Sequence, residues 1–535
     1  MHQQGLVVSA NILRRPRLEN LLESIKTKKL ALIIGSAGCG KTTLAAHSLK
    51  HKEVPFFWYS IKTTDCQAAQ FTSEVCQLIK DLGPASQHRP PDSASVASMR
   101  IAIVETTATL KELVIVIDNY HLVAAQSMFD GLVQALINNS PPHLHFIVIS
   151  RQRPEWQLTR KRVYREMLEI NDAMLAFTLA ELRDFCRDLY NLDWPDEELR
   201  RFYSLTEGWA AAMVIIAERV SLEPGLRVML NKDAATLLKS LPDLALFLEE
   251  ELFVSLPERL KNLLLSTSIL EEIPLELARQ LVGNEAETLL PELVACNLLV
   301  SCTDIMAGRY RFHGLWRAFL LHKAGSIMEK GKMEDLYNTA GSFYLEGRKW
   351  KESFRCYVEG KNLGMIIYLL KKIGPESLDF NLTEKLRSLL VNVAVERIES
   401  EPWIQFSYAC SQRFRDPALC YYYLHRALEG FQRAGDSQGE VRTLCLRTEV
   451  LMFYPGGLQP MEELIADESL YSGTDDGFNM IIAAYKQLYA ALSHCYLTGQ
   501  LKKALMLGEQ ARITSYVKQD INLNIYSCWV LALTS

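Results

Sequence analysis

The sequence predicts an α/β core built on a parallel sheet and followed by mostly α-helical domains, on three observations. Four short apolar runs, Leu30–Ile34, Phe56–Tyr59, Leu113–Ile117 and His145–Ile149, alternate with helical patterns between residues 20 and 150. Nearly continuous apolar runs rich in β-branched residues suit strands buried on both faces. The first run ends in a glycine-rich turn that opens a helix, and after about residue 165 the strand signals nearly vanish.

Taken in order, Leu30–Ile34 is the first strand, and Lys41 to Lys50 reads as the helix behind it. Phe56–Tyr59, Leu113–Ile117 and His145–Ile149 are the next three strands. The stretch from Leu82 to Ser98, rich in Pro and Ser, is expected to be an exposed loop. Residues 178–220 and 240–295 repeat Leu and Phe at three- and four-residue spacing, as amphipathic helices do. Leu298–Val300 and Arg309–Phe312 predict a short hairpin around Asp304 to Gly308. From residue 330 onward the pattern is all-helical. Tyr344–Ser353 resembles Tyr496–Leu505, and Ala427–Asp436 is a looser third copy. An aromatic residue, a glycine three positions on and then an amphipathic helix mark the turn of a tetratricopeptide-like (TPR-like) helix pair, although a plain helical bundle fits the same periodicity.

The bulk properties exclude several classes. A chain of 535 residues exceeds one core, and its formal net charge of −5 offers no global attraction to nucleic acid. No apolar run approaches the roughly 18 residues needed to span a bilayer, and the N-terminal segment lacks a signal-peptide pattern. The twelve cysteines are scattered, with no C-x-x-C and no zinc spacing. A reducing compartment, by default the cytoplasm, is expected, with no membrane partner.

The densest chemistry lies at Gly35-Ser36-Ala37-Gly38-Cys39-Gly40-Lys41-Thr42, followed by Thr43. This is the P-loop pattern in its required place, after a strand and opening a helix. Such a loop turns backbone N–H groups toward phosphates, and the helix N-terminus adds partial positive charge. Lys41 is expected at the β- and γ-phosphates and the Thr42 hydroxyl on Mg²⁺, which makes ATP or ADP with Mg²⁺ the expected ligand. Asp118 ends the run Leu113–Ile117 at the Walker B position and is expected to hold Mg²⁺ through water, so Lys41 and Asp118 are the catalytic candidates. Asn119 stands where many such NTPases carry a second acid; an amide cannot take the proton of an attacking water, so hydrolysis is expected to be slow at most. His121 reads as a partly buried histidine at a strand end. Arg151 follows the fourth strand at the edge where ligands gather in open α/β sheets. It suits a γ-phosphate sensor or an exposed arginine without a role. Arg15-Pro16-Arg17 is placed to close over the base. Cys39 would feel positive potential in the phosphate loop, as a reactive thiol does, but it reads first as a small filler residue, since most loop positions of this sort are simply small.

Eight segments in order resemble the signal-transduction ATPases with numerous domains (STAND), in the maltose-regulon-activator (MalT) branch of large LuxR-type regulators. They are Arg15-Pro-Arg-Leu18, the P-loop, Trp58-Tyr-Ser60 with Asp65 and Phe71, and Val116-Ile-Asp-Asn-Tyr-His-Leu122 followed by Ser150-Arg151. Leu175-Ala-Phe-Thr178 with Glu181 and Phe185, Thr206-Glu-Gly-Trp-Ala210 and Tyr310–Leu320 complete the set. The resemblance implies an α/β P-loop NTPase domain (1–165), a helical domain (166–235), a winged helix (236–328) and a TPR-like sensor region (329–535). It implies that Gly208 and Trp209 meet the nucleotide. It also implies that His313, matching a winged-helix histidine, touches a phosphate of locked ADP; a core histidine capping a hairpin is the other reading. An unknown small-molecule or protein inducer would bind the repeats, ATP would replace ADP, and the protein would self-associate. DNA would be contacted only through a domain not present in this chain.

Lys62, Cys66 and Asn119 depart from the family pattern. The sequence stops at Trp529–Ser535, read as lying within a repeat, as expected of a fragment lacking a terminal cap. The function expected is an ATP/ADP-binding switch of a MalT-like transcriptional regulator, or alternatively a STAND NTPase scaffold acting on a partner protein without DNA binding.

Overall fold

A computed structural model describes residues 12–50, 55–62, 68–82, 95–107, 112–373, 380–391, 395–413, 415–453, 484, 487–488, 490–492, 494–518 and 521–534. Asp65, Cys66 and positions 83–94 of the expected loop lie outside these residues. The chain divides into two units, Met1–Met328 and Glu329–Ser535.

In the first unit, β1 (Leu30–Ile34), β2 (Phe56–Ser60), β3 (Leu113–Asp118), β4 (Leu144–Ser150) and β5 (Met167–Ile170) form one sheet in the order β2-β3-β4-β1-β5. Every pairing is parallel. Residues of β1, β3 and β4 are buried throughout, which explains their unbroken apolar runs. β5 departs from the expected loss of strands after residue 165. It lies at the sheet edge beside β1, with Leu30 opposite Met167, and its two central residues are only half-buried. Val96–Ser98 also depart from the loop expectation, since they begin the helix Val96–Thr107.

The register places the working ends of the strands together. Ile34 pairs with Ser150, and Ser60 with Asp118, so the residues following β1, β3 and β4 gather at one carboxyl edge. Phe71, Met99, Phe129 and Phe146 pack in the apolar core on the sheet.

Helices Leu179–Tyr190, Asp196–Thr206 and Ala210–Leu222 follow the sheet. The first begins with a capping box: the Thr178 hydroxyl accepts from the Glu181 N–H while the Glu181 carboxylate accepts from the Thr178 N–H. Helices Glu258–Thr267, Leu275–Val282 and Ala286–Ala295 then accompany a small antiparallel sheet of β6 (Ile273–Pro274), β7 (Val300–Asp304) and β8 (Arg309–Phe312), ordered β6-β8-β7. The hairpin occurs around Asp304–Gly308, but its first strand starts at Val300, not Leu298.

The described part of the second unit is helical, and most helices consecutive in the chain pack on one another. Close approach requires small residues there: a Cβ on Gly341 would lie 2.8 Å from the Tyr357 ring, and one on Gly430 2.5 Å from Pro402. Among the described residues no helix is long and apolar enough to cross a membrane.

Candidate functional site

The loop from Gly35 to Gly40 joins β1 to the helix Lys41–Lys50. Its first N–H, from Gly35, donates to Ser150 O at 3.3 Å, tying the loop to the end of β4. Gly38 and Gly40 have φ of +68° and +89°, a conformation costly for any residue with a Cβ. Lys41 Nζ folds back over the loop, donating to Gly35 O at 2.9 Å and Ser36 O at 2.6 Å. The Thr42 hydroxyl donates to Asp118 Oδ2 at 3.1 Å. Lys41, Thr42 and Asp118 are thus brought to one place, the last two as a hydroxyl and a carboxylate fit to hold a divalent cation.

Burial of Asp118 raises its proton affinity, while the Asn119 N–H, Thr42 and the Lys41 charge pull it down. Asn119 occupies the left-handed region at φ +60°, and its amide donates to Ile61 O at 3.3 Å. His121 is lowered to about 4 by burial and by the nearby Arg151 and Lys41 charges, so it is neutral at pH 7. Its Nδ1 is buried without a hydrogen-bond partner.

The Cys39 thiol is pushed up to about 11, because burial outweighs the pull of Lys41 and the Asp172 carboxylate acts in the same direction as burial. Desolvation thus outweighs positive potential and the group stays a thiol at neutral pH, which favours the filler reading of Cys39 over the reactive-thiol one.

Residues from outside the sheet grip the loop. Trp209 Nε1 donates to Ala37 O at 2.9 Å, and the Ala211 N–H donates to Gly38 O at 2.9 Å. The Ser36 N–H and hydroxyl both donate to Asp172 Oδ1, at 2.9 and 3.0 Å. The indole of Trp209 also meets the His313 ring, with centroids 5.7 Å apart. His313 caps the helix Gly314–Ile327: its Nδ1 accepts from the Leu315 N–H at 3.3 Å, leaving Nε2 to donate to Thr206 O at 2.9 Å. Burial lowers its proton affinity, which suits this neutral tautomer. A phosphate contact from His313 would require Nε2 to leave Thr206.

Beside the loop, Thr43 and Gly40 continue into an apolar pocket lined by Leu13, Leu44, Phe177 and Val214, with Arg15 at its wall. Arg15 builds that wall more than it covers it. Its guanidinium donates to Leu175 O at 2.8 Å and Ala176 O at 3.0 Å, pairs with Glu181 at 3.1 Å, and lies 4.0 Å over the Phe177 ring. Arg151 reaches away from the sheet, with Nη1 donating to Glu251 O at 2.9 Å and Nη2 to Glu251 Oε2 at 2.6 Å. Sequence reasoning missed Asp172 and Glu251, which stand far along the chain from the groups they bind; no local pattern marks either.

The arrangement is a sheet-edge anion cradle with an adjoining apolar slot, the form of a nucleotide site. Residues 24–153 match an AAA domain family and residues 248–330 a MalT winged helix domain family. The chain is 25% identical over 406 residues to the HTH-type transcriptional regulator MalT of Vibrio parahaemolyticus, covering 73% of this chain and 44% of that one. It is 27% identical over 360 residues to the serine/threonine-protein kinase PknK of Mycobacterium tuberculosis, covering 64% and 31% respectively. It therefore spans less than half the length of these curated relatives. A solved STAND protein with a tetratricopeptide repeat sensor from Pyrococcus horikoshii aligns at 15% identity over 99% of this chain and 80% of its own, with a TM-score of 0.34. A Walker-type ATPase of Pyrococcus abyssi aligns at 15% identity over 59% and 97%, with a TM-score of 0.42.

Proposed function

We propose that this chain, a MalT-like P-loop ATPase of the STAND class, works as an ATP/ADP-operated switch within a transcriptional regulator. The observation that carries the reading is the double tie of the phosphate loop to the neighbouring helix, Trp209 to Ala37 and Ala211 to Gly38. A loop gripped in this way can pass a change of occupant to the contacts that position the helix. The affinities of two conformations for two nucleotides then differ, which is all a switch requires.

In this reading the loop Gly35 to Thr43 cradles the phosphates with its N–H groups beyond Gly35 and Ser36, which Ser150 and Asp172 hold, and Lys41 leaves its carbonyl partners to neutralise them. Thr42 and Asp118 hold Mg²⁺, which would neutralise phosphate charge there. Arg15 and Phe177 wall the slot that takes the base. Arg151 reaches the terminal phosphate when it gives up Glu251, and His313 reaches a phosphate when it gives up Thr206. The working domains are 1–165, 166–235, 236–328 and 329–535. The last senses a small-molecule or protein inducer through TPR-like repeats, nucleotide exchange follows, and the ATP state self-associates in the cytoplasm. DNA contact belongs to a separate reader module. Asn119 in place of an acid keeps hydrolysis slow, so that the triphosphate state persists.

The test is to denature the purified chain and resolve any released nucleotide by chromatography, beside a Lys41→Ala control. Near-stoichiometric ADP from the wild type and none from the variant supports the switch. A chain that carries no nucleotide and binds none when ATP is added would sink it.

A further inference from the structure

Arg151 stands at the carboxyl end of β4, next to the residue whose carbonyl accepts the Gly35 N–H. Ser150 pairs with Ile34, so Arg151 follows at the edge where the phosphate loop leaves β1. Its guanidinium nevertheless has a carboxylate partner at 2.6 Å, Glu251. Glu251 sits in a π-helical turn, Glu249–Phe253, a deviation from regular helix that often marks a functional position. Leu252 and Phe253 bury that turn from one side, and Lys323 pairs with Glu249 at 2.8 Å. Two more contacts reach the same strand end from the winged-helix region. Asn297 Nδ2 donates to Arg151 O at 2.8 Å, and Gln152 Nε2 lies 3.1 Å from Cys296 Sγ.

We propose that Glu251 determines the preference between nucleoside triphosphate and diphosphate, by occupying the Arg151 guanidinium that a γ-phosphate would otherwise engage. The inference rests on the nucleotide-switch reading above and adds a selectivity residue to it. A carboxylate and a terminal phosphoryl group offer a guanidinium the same acceptor, two anionic oxygens in reach of one planar fork. A diphosphate has no group for Arg151 and leaves the pair closed. A triphosphate must take Arg151 from Glu251, so its apparent affinity is reduced to the intrinsic affinity multiplied by the fraction of molecules in which the pair is open. The side chains of the pair are 33% and 45% exposed, so the pair is weak enough to exchange. Binding of a triphosphate thereby loosens one contact between the sheet edge and the winged helix, and binding of a diphosphate does not.

The experiment titrates the full chain with Mg²⁺ and either ADP or the non-hydrolysable analogue AMP-PNP, for wild type, Glu251→Ala, Arg151→Ala and the double variant. Glu251→Ala is expected to tighten AMP-PNP about threefold or more, the scale of an exposed ion pair, while leaving ADP unchanged. The isosteric Glu251→Gln should move in the same direction and guards against a folding defect. In the Arg151→Ala background the effect of Glu251→Ala on AMP-PNP should disappear. An unchanged preference in Glu251→Ala with both nucleotides still bound, or equal tightening of both, overturns the inference and leaves the switch reading standing. Failure of the wild type to bind either nucleotide overturns both.

Discussion

Trp209 donates its indole N–H to the carbonyl oxygen of Ala37 at 2.9 Å, joining the helical region to the tip of the phosphate loop across 172 residues of sequence. Both groups are buried, with Trp209 only 4% exposed, so water does not replace the bond if the donor is removed. Trp209→Phe keeps most of the ring and deletes the N–H. It is expected to lower the stability of the first unit by about 1–3 kcal/mol, the cost of an orphaned buried carbonyl plus a small cavity. It should also speed nucleotide release. The urea midpoint read by circular dichroism, with release of a fluorescent ADP analogue, checks both. An unchanged midpoint together with an unchanged release rate would show that the bond does not couple helix to loop.

Asp172 places a carboxylate on the phosphate loop, accepting from both donors of Ser36. An anion beside a phosphate site opposes every nucleotide, whatever its phosphate count. Asp172→Asn keeps an acceptor oxygen for Ser36 and removes the charge. It is expected to tighten ADP and AMP-PNP alike, on the order of fivefold at low ionic strength, with the gain shrinking as salt is added. Calorimetric titration at two salt concentrations measures this. Weaker binding of both nucleotides would mean instead that the carboxylate holds the loop in its binding-ready form.

Stability should fall in mild acid through His121. Its folded-state affinity for protons, lowered to about 4 by burial and the Arg151 and Lys41 charges, lies below the ordinary 6.5 of the unfolded chain. Between those values the unfolded state binds the proton and the folded state does not, so stability rises with pH across the window. It is fully present above about 6.5 and is lost as pH falls toward about 4. His313, also lowered by burial, acts in the same direction. The contribution of His121 is on the order of 2 kcal/mol, and His121→Gln should remove it, leaving a shallower pH profile than the wild type. Urea midpoints between pH 7.5 and 4.5 for the two proteins provide the comparison, in which the carboxylates common to both cancel. Identical slopes would show that His121 takes up its proton without strain.

What could be read in the sequence follows from how local each feature is. β1, β3 and β4 are legible because both faces are buried and every position is apolar or nearly so. β5 is not, because it is a four-residue edge strand whose Glu169 pairs outward with Arg153 and Arg162. The phosphate loop and Asp118 announce themselves by position, one after a strand and one at a strand's end. Asp172 and Glu251 bind partners 136 and 100 residues away, so their roles depend on how helices pack onto the loop. The two readings of Cys39 divide for a related reason: the charge of Lys41 is visible in the sequence, whereas the burial that outweighs it is not.

Two glycines separate the binding and folding roles of the site. Gly208, at φ +77°, lies so close to Phe177 that an added Cβ would sit 2.4 Å from its carbonyl oxygen and 2.9 Å from its nitrogen. The Phe177 N–H donates to Gly208 O at 2.9 Å, so neither backbone can retreat without breaking that bond. Gly208→Ala therefore combines backbone strain with a clash against main chain, and is expected to cost about 3 kcal/mol or more. Gly40, at φ +89°, has nothing within 4 Å of the position its Cβ would take. Gly40→Ala should cost only the conformational penalty of about 1–2 kcal/mol. Yet the open space is where the cradle must admit a phosphate, and the methyl group would fill it. The expected result is a folded Gly40→Ala protein that elutes without nucleotide, and a Gly208→Ala protein that unfolds at markedly lower urea. Retention of ADP by Gly40→Ala at the wild-type level would mean that the phosphates are seated elsewhere along the loop.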